Sequence, residues 1–299
     1  MAKKAYVGVG GSPRNVKAIY VGVGGDPRKV IKGYVGVGGV PCLFWDGGIP
    51  PVPTSWSGKT WYGLTNFNGT SIWTDGSHIY SSYGASQYVL NEDTSTWTTK
   101  TWTGPTNFYA NSIWSDGDNT YYSNRSNQYV LDKYTNDWVT MTWSGLTSFY
   151  GYNIWTDGNN YYYSVGTNQY VLDKSENKWV AKTWTGMTNF DATYIWTDGY
   201  NIYFSNGSRQ FELNRLEDKW VAKTWSGISN FYGYGIWTDG DNIYYSNGPS
   251  QYILDKSTST WTAKTWSGIP TYIDGQEVWT DGDNVYYSSA SYQYKLDIT

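Results

Sequence analysis

Ile236-Trp237-Thr238 is a short run of β-formers, and Asp239-Gly240-Asp241-Asn242 after it is turn chemistry, because Asp-Gly tolerates the positive φ of a tight hairpin. Ile243-Tyr244-Tyr245-Ser246 is a second strand, Asn247-Gly248-Pro249-Ser250 a loop, and Gln251-Tyr252-Ile253-Leu254-Asp255 a third strand. Lys256 to Thr260 turns again, and Trp261-Thr262-Ala263-Lys264-Thr265-Trp266 is a fourth strand. Ser267-Gly268 leads to the next unit. No 3.6-residue periodicity appears, which excludes a helical solenoid. Four strands in a repeat of this length make one blade of a β-propeller.

The unit recurs. Its clearest marker, an aliphatic residue followed by Trp, Ser or Thr, Asp and Gly, occurs at Trp73, Trp114, Trp155, Trp196, Trp237 and Trp279, with spacings of 41, 41, 41, 41 and 42. Such small drift leaves no room for an inserted domain, and it predicts six blades. The chain ends on Tyr292-Gln293-Tyr294-Lys295-Leu296-Asp297, the third strand of the last unit, without its fourth. The missing strand stands at the front, as Trp56-Ser57-Gly58-Lys59-Thr60-Trp61. It matches Trp97 to Trp102, Trp138 to Trp143, Trp179 to Trp184, Trp220 to Trp225 and Trp261 to Trp266. Residues 55 to 62 are therefore expected to pair with residues 290 to 298 and close the ring, which removes two exposed sheet edges. Of the 19 Trp, 18 fall on three positions in six blades, so they are expected to pack between blades and not to form a binding array.

The blade resembles the kelch repeat over the whole of residues 55 to 299. The resemblance rests on the order of features: a hydrophobic strand, Asp-Gly, a Tyr-bearing strand, a short loop, and then Tyr-Val-Leu-Asp with Trp six or seven residues on, as in Gln128 to Asp132 before Trp138 and Gln169 to Asp173 before Trp179. The paired glycines that usually end the second kelch strand are replaced here by Ser123-Asn124-Arg125 or Ser205-Asn206-Gly207. The resemblance implies an all-β, six-bladed, kelch-like propeller closed by an N-terminal strand.

A second, shorter repeat precedes it. Tyr6-Val7-Gly8-Val9-Gly10-Gly11 recurs at Tyr20 to Gly25 and Tyr34 to Gly39, a period of 14 residues. Each copy reads as a small strand, a Gly-Gly-x-Pro turn and another strand, too little to bury a core alone. Residues 1 to 41 are thus expected to be ordered by self-association into a homo-oligomer or by docking on a partner. Residues 42 to 54, with Pro50, Pro51 and Pro53, read as a stiff linker. The Tyr-Val-Gly-Val-Gly-Gly segments resemble tandem Gly-rich segments at one end of tail, baseplate and fibre proteins of phages and prophages of Gram-positive bacteria. That resemblance implies attachment to other tail or baseplate proteins, and a place on a virion or a phage-derived tail particle.

Charge is uneven. Residues 1 to 50 carry a net +5 and the remainder −9. An acidic propeller with few Arg argues against nucleic-acid binding. The basic head would either dock on an acidic partner or keep a Gly- and Val-rich segment dissolved. The N-terminus lacks the apolar core of a signal peptide, and no stretch approaches 18 apolar residues, so synthesis in a bacterial cytoplasm without membrane insertion is expected.

Reactive groups are scarce. His78 is the only histidine and Cys42 the only cysteine, so Ser-His-Asp catalysis, His-based metal sites and an intrachain disulfide all fail at the outset. Most acids repeat with the blade: Asp75, Asp116, Asp157, Asp198, Asp239 and Asp281 share one turn. The irregular acids are Asp191, Glu212, Asp274 and Glu277, of which Asp274 and Glu277 fall together in a deviant loop. Arg125 and Arg209 lie in second-to-third-strand loops and Arg215 in a third-to-fourth turn, so they do not form the arginine cluster of a sialidase. Gly-Val-Gly-Gly lacks the Lys-Ser/Thr and the helix of a phosphate loop. The expectation is no enzyme, no cofactor and no metal.

In a meander blade, first-to-second and third-to-fourth turns share one face, while second-to-third loops and interblade connections share the other. The second face is the more variable. Its connections place Asn66 and Phe67, Asn107, Phe108 and Tyr109, Phe149 and Tyr150, Asn189 and Phe190, Asn230, Phe231 and Tyr232, and finally Tyr272 around the channel mouth. Aromatic rings with amide groups suit saccharides. The alternative is that the Phe rings plug the mouth as packing. The functional expectation is a phage or phage-derived tail or fibre protein whose propeller recognises a bacterial cell-surface receptor, a glycan or a protein. Its alternatives are a purely structural tail or baseplate component, and a carbohydrate-active enzyme working through Asp274 or Glu277.

Overall fold

The structure, a computed structural model, describes residues 53–297 apart from 117, 133, 241, 270, 271 and 283, together with the backbone of six short strands ahead of them. The chain divides into two compact units, Met1–Pro53 with Ile298–Thr299, and Thr54–Asp297.

In the first unit the strands form three antiparallel hairpins: Tyr6–Val9 with Ser12–Asn15, Tyr20–Val23 with Asp26–Lys29, and Lys32–Val37 with Val40–Asp46. The 14-residue period is thus one hairpin per copy. Pro13 and Pro27 lie inside the second strands, opposite Gly8 and Gly22, and not in the turn as the sequence suggests. The third hairpin also runs through Cys42 to Asp46, which the sequence places in the linker. The β-forming run Cys42-Leu43-Phe44-Trp45 accounts for that extension.

The second unit is a six-bladed β-propeller of six antiparallel sheets. The fifth blade is representative, with strands Ile236–Thr238, Ile243–Gly248, Ser250–Asp255 and Thr260–Ala263. Ser55–Gly58 supplies the fourth strand of the sixth blade, with Trp56 opposite Leu296 and Gly58 opposite Tyr294. The closing pairing is shorter than residues 55 to 62, because the chain soon crosses to the next blade. Tyr62 already bridges to Thr96 in parallel, its N–H bonding to Ser95 O and its carbonyl accepting from Trp97 N–H. The same step recurs at Ser144, Thr185, Ser226 and Ser267. The end of each of these fourth strands is thereby tied to the start of the next, and the belt crosses the closure as well. The crossing is tight: Gly227 sits at φ +81, and a Cβ there would stand 1.8 Å from Trp261 O.

Six aromatic clusters fill the blade interfaces. Each joins a first-strand Trp, the Trp beyond the fourth strand, and the fourth-strand Trp of the following blade, as in Trp73, Trp102 and Trp138. Trp61 and Trp97 meet Trp279 across the closure. The Trp array is interblade core, as the repeat count suggests. First-strand indoles also bury a hydrogen bond: Trp155 Nε1–H donates to Ser164 Oγ at 2.9 Å, and the same pair occurs in all six blades. Those six serines are buried, so the acceptor is kept dry for its indole.

On the turn face each Asp of the Asp-Gly turn accepts backbone N–H groups and a Tyr hydroxyl. Asp157 takes Asn159 and Asn160 N–H at 2.9 and 2.7 Å and Tyr162 Oη–H at 2.9 Å. His78 lies exposed in the first of these turns, its backbone N–H bonded to Asp75.

Candidate functional site

The connection face is built on a pattern that the sequence does not announce. Each connection ends in one turn of 3-10 helix: Gly69–Ser71, Ala110–Ser112, Gly151–Asn153, Ala192–Tyr194, Gly233–Gly235 and Gly275–Glu277. Each turn touches its two neighbours, and the last touches the first, so the six close a ring around the axis. Four of the six turns begin with Gly because the neighbouring backbone is so near, and the other two begin with Ala110 and Ala192, each with its methyl buried. A Cβ at Gly233 would lie 2.1 Å from Tyr194 O, and one at Gly151 would lie 2.2 Å from Ser112 O. The residues on either side of this small residue are not so constrained, and they are what varies: Asn68 and Thr70, Tyr109 and Asn111, Tyr150 and Tyr152, Asp191 and Thr193, Tyr232 and Tyr234, Asp274 and Gln276.

The connections are pinned to the preceding blade. Phe108-Tyr109, Phe149-Tyr150 and Phe231-Tyr232 pair with the ends of second strands. A buried Gln at the start of the third strand locks them. Gln169 Nε2–H reaches Gly166 O at 2.7 Å and Phe190 O at 3.3 Å, and Gln210, Gln251 and Gln293 make the equivalent pair of bonds. This clamp was visible only as a Gln repeated in six blades.

The pairing sorts the candidate residues. Successive residues of an extended segment point to opposite sides, and here Phe points in and Tyr out. Phe67, Phe108, Phe149, Phe190 and Phe231 are all buried, packed on fourth-strand Trp rings, for example Phe231 on Trp261 at 5.4 Å. For the five Phe, packing is therefore the observed role, and their rings do not face a ligand. Asn66, Asn107, Asn189 and Asn230 are exposed at the rim. Tyr109 and Tyr272 are exposed, and Tyr150 and Tyr232 half-buried.

The exposed and half-buried Tyr of this face gather in groups that include residues the repeat pattern does not single out. Tyr150 and Tyr152 stack at 5.1 Å and 25°. Tyr232 and Tyr234 stack at 5.3 Å and 14°, with Tyr194 from the adjacent blade 5.8 Å from Tyr234. Tyr83 and Tyr109 meet edge-on at 5.4 Å. The second group borders a cavity of about 360 Å³ between the fourth and fifth blades, lined by Gly233, Tyr234, Ile195, Ile236, Trp196 and Trp237. Gly235 stands where other blades carry Ser, Asn, Tyr or Glu, and a Cβ there would lie 2.8 Å from the Tyr245 ring. The signal for Tyr152 and Tyr234 was present, since each departs from the repeat beside a small residue, Gly151 or Gly233.

The irregular acids have local partners. Asp191 Oδ1 accepts Gly166 N–H at 2.8 Å and so holds a hairpin. Asp274 Oδ1 accepts Gln276 N–H at 3.1 Å and caps its own helical turn. Glu212 pairs with Lys223 at 3.1 Å. Glu277 is half-buried and accepts Ser289 Oγ–H at 3.0 Å. Burial raises the Glu277 carboxyl above its ordinary value despite hydrogen bonds from Ser289 and Tyr287. Burial, with the Glu277 charge next to it, pushes the Tyr287 hydroxyl up to about 12. Among the described residues no group of three or more His, Cys, Asp or Glu is placed to hold a metal ion.

No protein-family model matches the chain, and no curated protein matches it. Solved structures do match. The extracellular domain of a one-component system of B. thetaiotaomicron aligns with a TM-score of 0.50 at 13% identity, covering 75% of this chain and 32% of that one. The extracellular domain of a hybrid two-component system from the same organism aligns at 0.47 and 13% identity, covering 76% and 33%. The chain spans about a third of the length of either structure. At this identity the likeness is one of fold, and what it establishes for this chain is the propeller.

Proposed function

We propose that the propeller is a recognition module whose connection face binds a saccharide, and that the hairpins in front of it attach it to a phage or phage-derived tail particle. The observation that carries the first half is the pair of stacked Tyr-Gly-Tyr groups, Tyr150/Tyr152 and Tyr232/Tyr234, the second bordering the cavity. Tyr offers a rigid ring with a polar tip at small entropic cost. A sugar lays its C–H face on such a ring and gives its hydroxyls to nearby polar groups. These four Tyr belong to none of the six interblade clusters, so core packing does not account for them.

The second half rests on the resemblance of the three Gly-rich repeats to tail, baseplate and fibre segments. We read the blade as kelch-like on its order of features, a statement about ancestry that the binding proposal does not need. The alternative, a structural tail component, is favoured only by the regularity of the blades.

The test is binding of the whole chain, and of Tyr152→Ala and Tyr234→Ala, to a glycan array and to bacterial envelope fractions. The expected result is retention of a defined glycan by the wild type, and at least tenfold weaker retention by each variant at unchanged melting temperature. No retention of any glycan or envelope fraction by the wild type would sink the recognition reading and leave the structural one.

A further inference from the structure

We propose that Arg125, with the Tyr150/Tyr152 pair, forms an anion-selective subsite that takes a carboxylate or phosphodiester carried by the saccharide. This rests on the saccharide reading above and adds the chemical class of the ligand.

The first observation is backbone strain. The six second-to-third-strand hairpins each place one residue at positive φ. Four use glycine: Gly84, Gly166, Gly207 and Gly248. The sixth blade has Ala290, and the second blade has Arg125 at φ +59. A long side chain in this region is uncommon and strained, and such outliers collect at functional sites. Glycine would fit the hairpin better, so the hairpin does not explain the arginine.

The second observation is where the side chain goes. Arg125 Nε–H donates to Tyr150 Oη, and the guanidinium stands 5.9 Å from the Tyr150 ring centre. Tyr150 in turn stacks on Tyr152. One donor of the fork is thus spent on fixing the side chain over the aromatic pair, and the exposed remainder keeps planar N–H geometry suited to carboxylate or phosphate. The sister group in the fifth blade has the same Phe-Tyr-Gly-Tyr sequence, but glycine (Gly207) in the corresponding hairpin. That hairpin carries Arg209 instead, which donates to Asn189 O at 2.9 Å and stands 5.4 Å from the Phe204 ring, whereas Arg125 is bonded to the aromatic pair itself.

The third is charge. Residues 51–299 carry a net −9, so an anionic ligand meets repulsion from the domain at long range. Selection of an anion here has to come from a local cation, and Arg125 is placed beside a stacking platform to supply it.

Isothermal titration at low ionic strength would use three probes of equal length: a neutral oligogalactan, an oligogalacturonate, and a glycosylated glycerol-phosphate oligomer. The expected result is about tenfold tighter binding of one anionic probe than of the neutral one, and that probe identifies the anion. Arg125→Gly is expected to abolish the preference while keeping the neutral affinity, and Arg125→Lys to restore part of it, because Lys lacks the fork. The melting temperature of Arg125→Gly should hold or rise, since the strain is relieved, so its loss of preference would not reflect unfolding. Equal binding of all three probes by the wild type, or an undiminished preference in Arg125→Gly, overturns the subsite and leaves the saccharide reading intact. Binding of none of the three by the wild type overturns both.

Discussion

On the turn face, Asp75, Asp157 and Asp198 make the same backbone and Tyr-hydroxyl bonds blade after blade. On the connection face, one residue in each helical turn is held to Gly or Ala, and its two neighbours change from blade to blade. Both faces are cut from one repeat. The Asp of the first-to-second turn is uniform because it closes its own hairpin, a job identical in all six copies. The connection face has two kinds of position. One approaches a neighbouring backbone to within a Cβ radius, and the other looks outward and is released from packing. Divergence beside a fixed small residue is the feature on which the proposed binding face rests.

The largest expected effects lie beneath both faces, where the blades are locked together. Trp220→Ala empties a fully packed interblade position and is expected to cost about 3–5 kcal/mol in urea unfolding. Trp56→Ala removes the equivalent residue from the closing strand. It should cost a similar amount and also open the ring to proteolysis at the split sixth blade, where residues 55–58 pair with residues 294–297, which Trp220→Ala should not do. Equal protease patterns for the two variants would mean that closure by residues 55–58 is not what holds the ring.

Next in size is the contrast within the connection face. Gly233→Ala forces a methyl against Tyr194 O and should destabilise by about 1–3 kcal/mol. Thr193→Ala, exposed one residue beyond a small position, should stay within about 0.5 kcal/mol. If both substitutions were silent, the helical ring would not be the constraint we describe.

The blade count, the split sixth blade and the interblade role of Trp were legible because each is a pattern repeated at fixed spacing, and period is what a sequence displays best. The clamp by Gln169 was not, because its two acceptors are carbonyls, and Phe190 lies 21 residues away. A backbone oxygen leaves no trace in residue identity. The Ser164 acceptor for Trp155 was hidden for the opposite reason: a serine in a strand reads as ordinary until the indole beside it is seen. For the candidate site, composition drew attention to Phe and Tyr together, and only the alternation of a two-residue strand separated the buried Phe231 from the outward Tyr232. Tyr194 was missed because its blade lacks the Phe-Tyr-Gly-Tyr run, and it joins its group from across a blade boundary.

A smaller effect sharpens the comparison through pH. Burial alone would raise the Asp157 carboxyl, yet the N–H groups of Asn160 and Asn159 and the Tyr162 hydroxyl outweigh it and hold the group below its ordinary value. Asp75 is lowered in the same way. A carboxyl depressed in the folded state binds fewer protons than in the unfolded chain, so its stabilisation is full above the ordinary carboxylate range and is lost as pH falls through the folded value. Asp157→Asn should cost on the order of 1 kcal/mol near neutrality, and less at acid pH, where the wild-type carboxylate is already protonated.

The smallest effect has the opposite sign, and it sits on the other face. Glu277 is raised by burial, so in the window from its ordinary value up to its folded value the native protein holds more protons than the unfolded chain. Stability then falls as pH rises through that window. Glu277→Gln keeps an acceptor for Ser289 without the buried charge. It should be neutral at acid pH and slightly stabilising, by less than about 1 kcal/mol, at neutral pH. Melting curves of Asp157→Asn and Glu277→Gln across acid to neutral pH should therefore diverge from wild type in opposite directions as pH rises. Parallel curves would remove the electrostatic part of the contrast between the faces. Opposed curves would mean that the connection face retains a carboxylate at a cost in stability, which the uniform face nowhere does with Asp75 or Asp157, and which a surface kept only for packing has no reason to do.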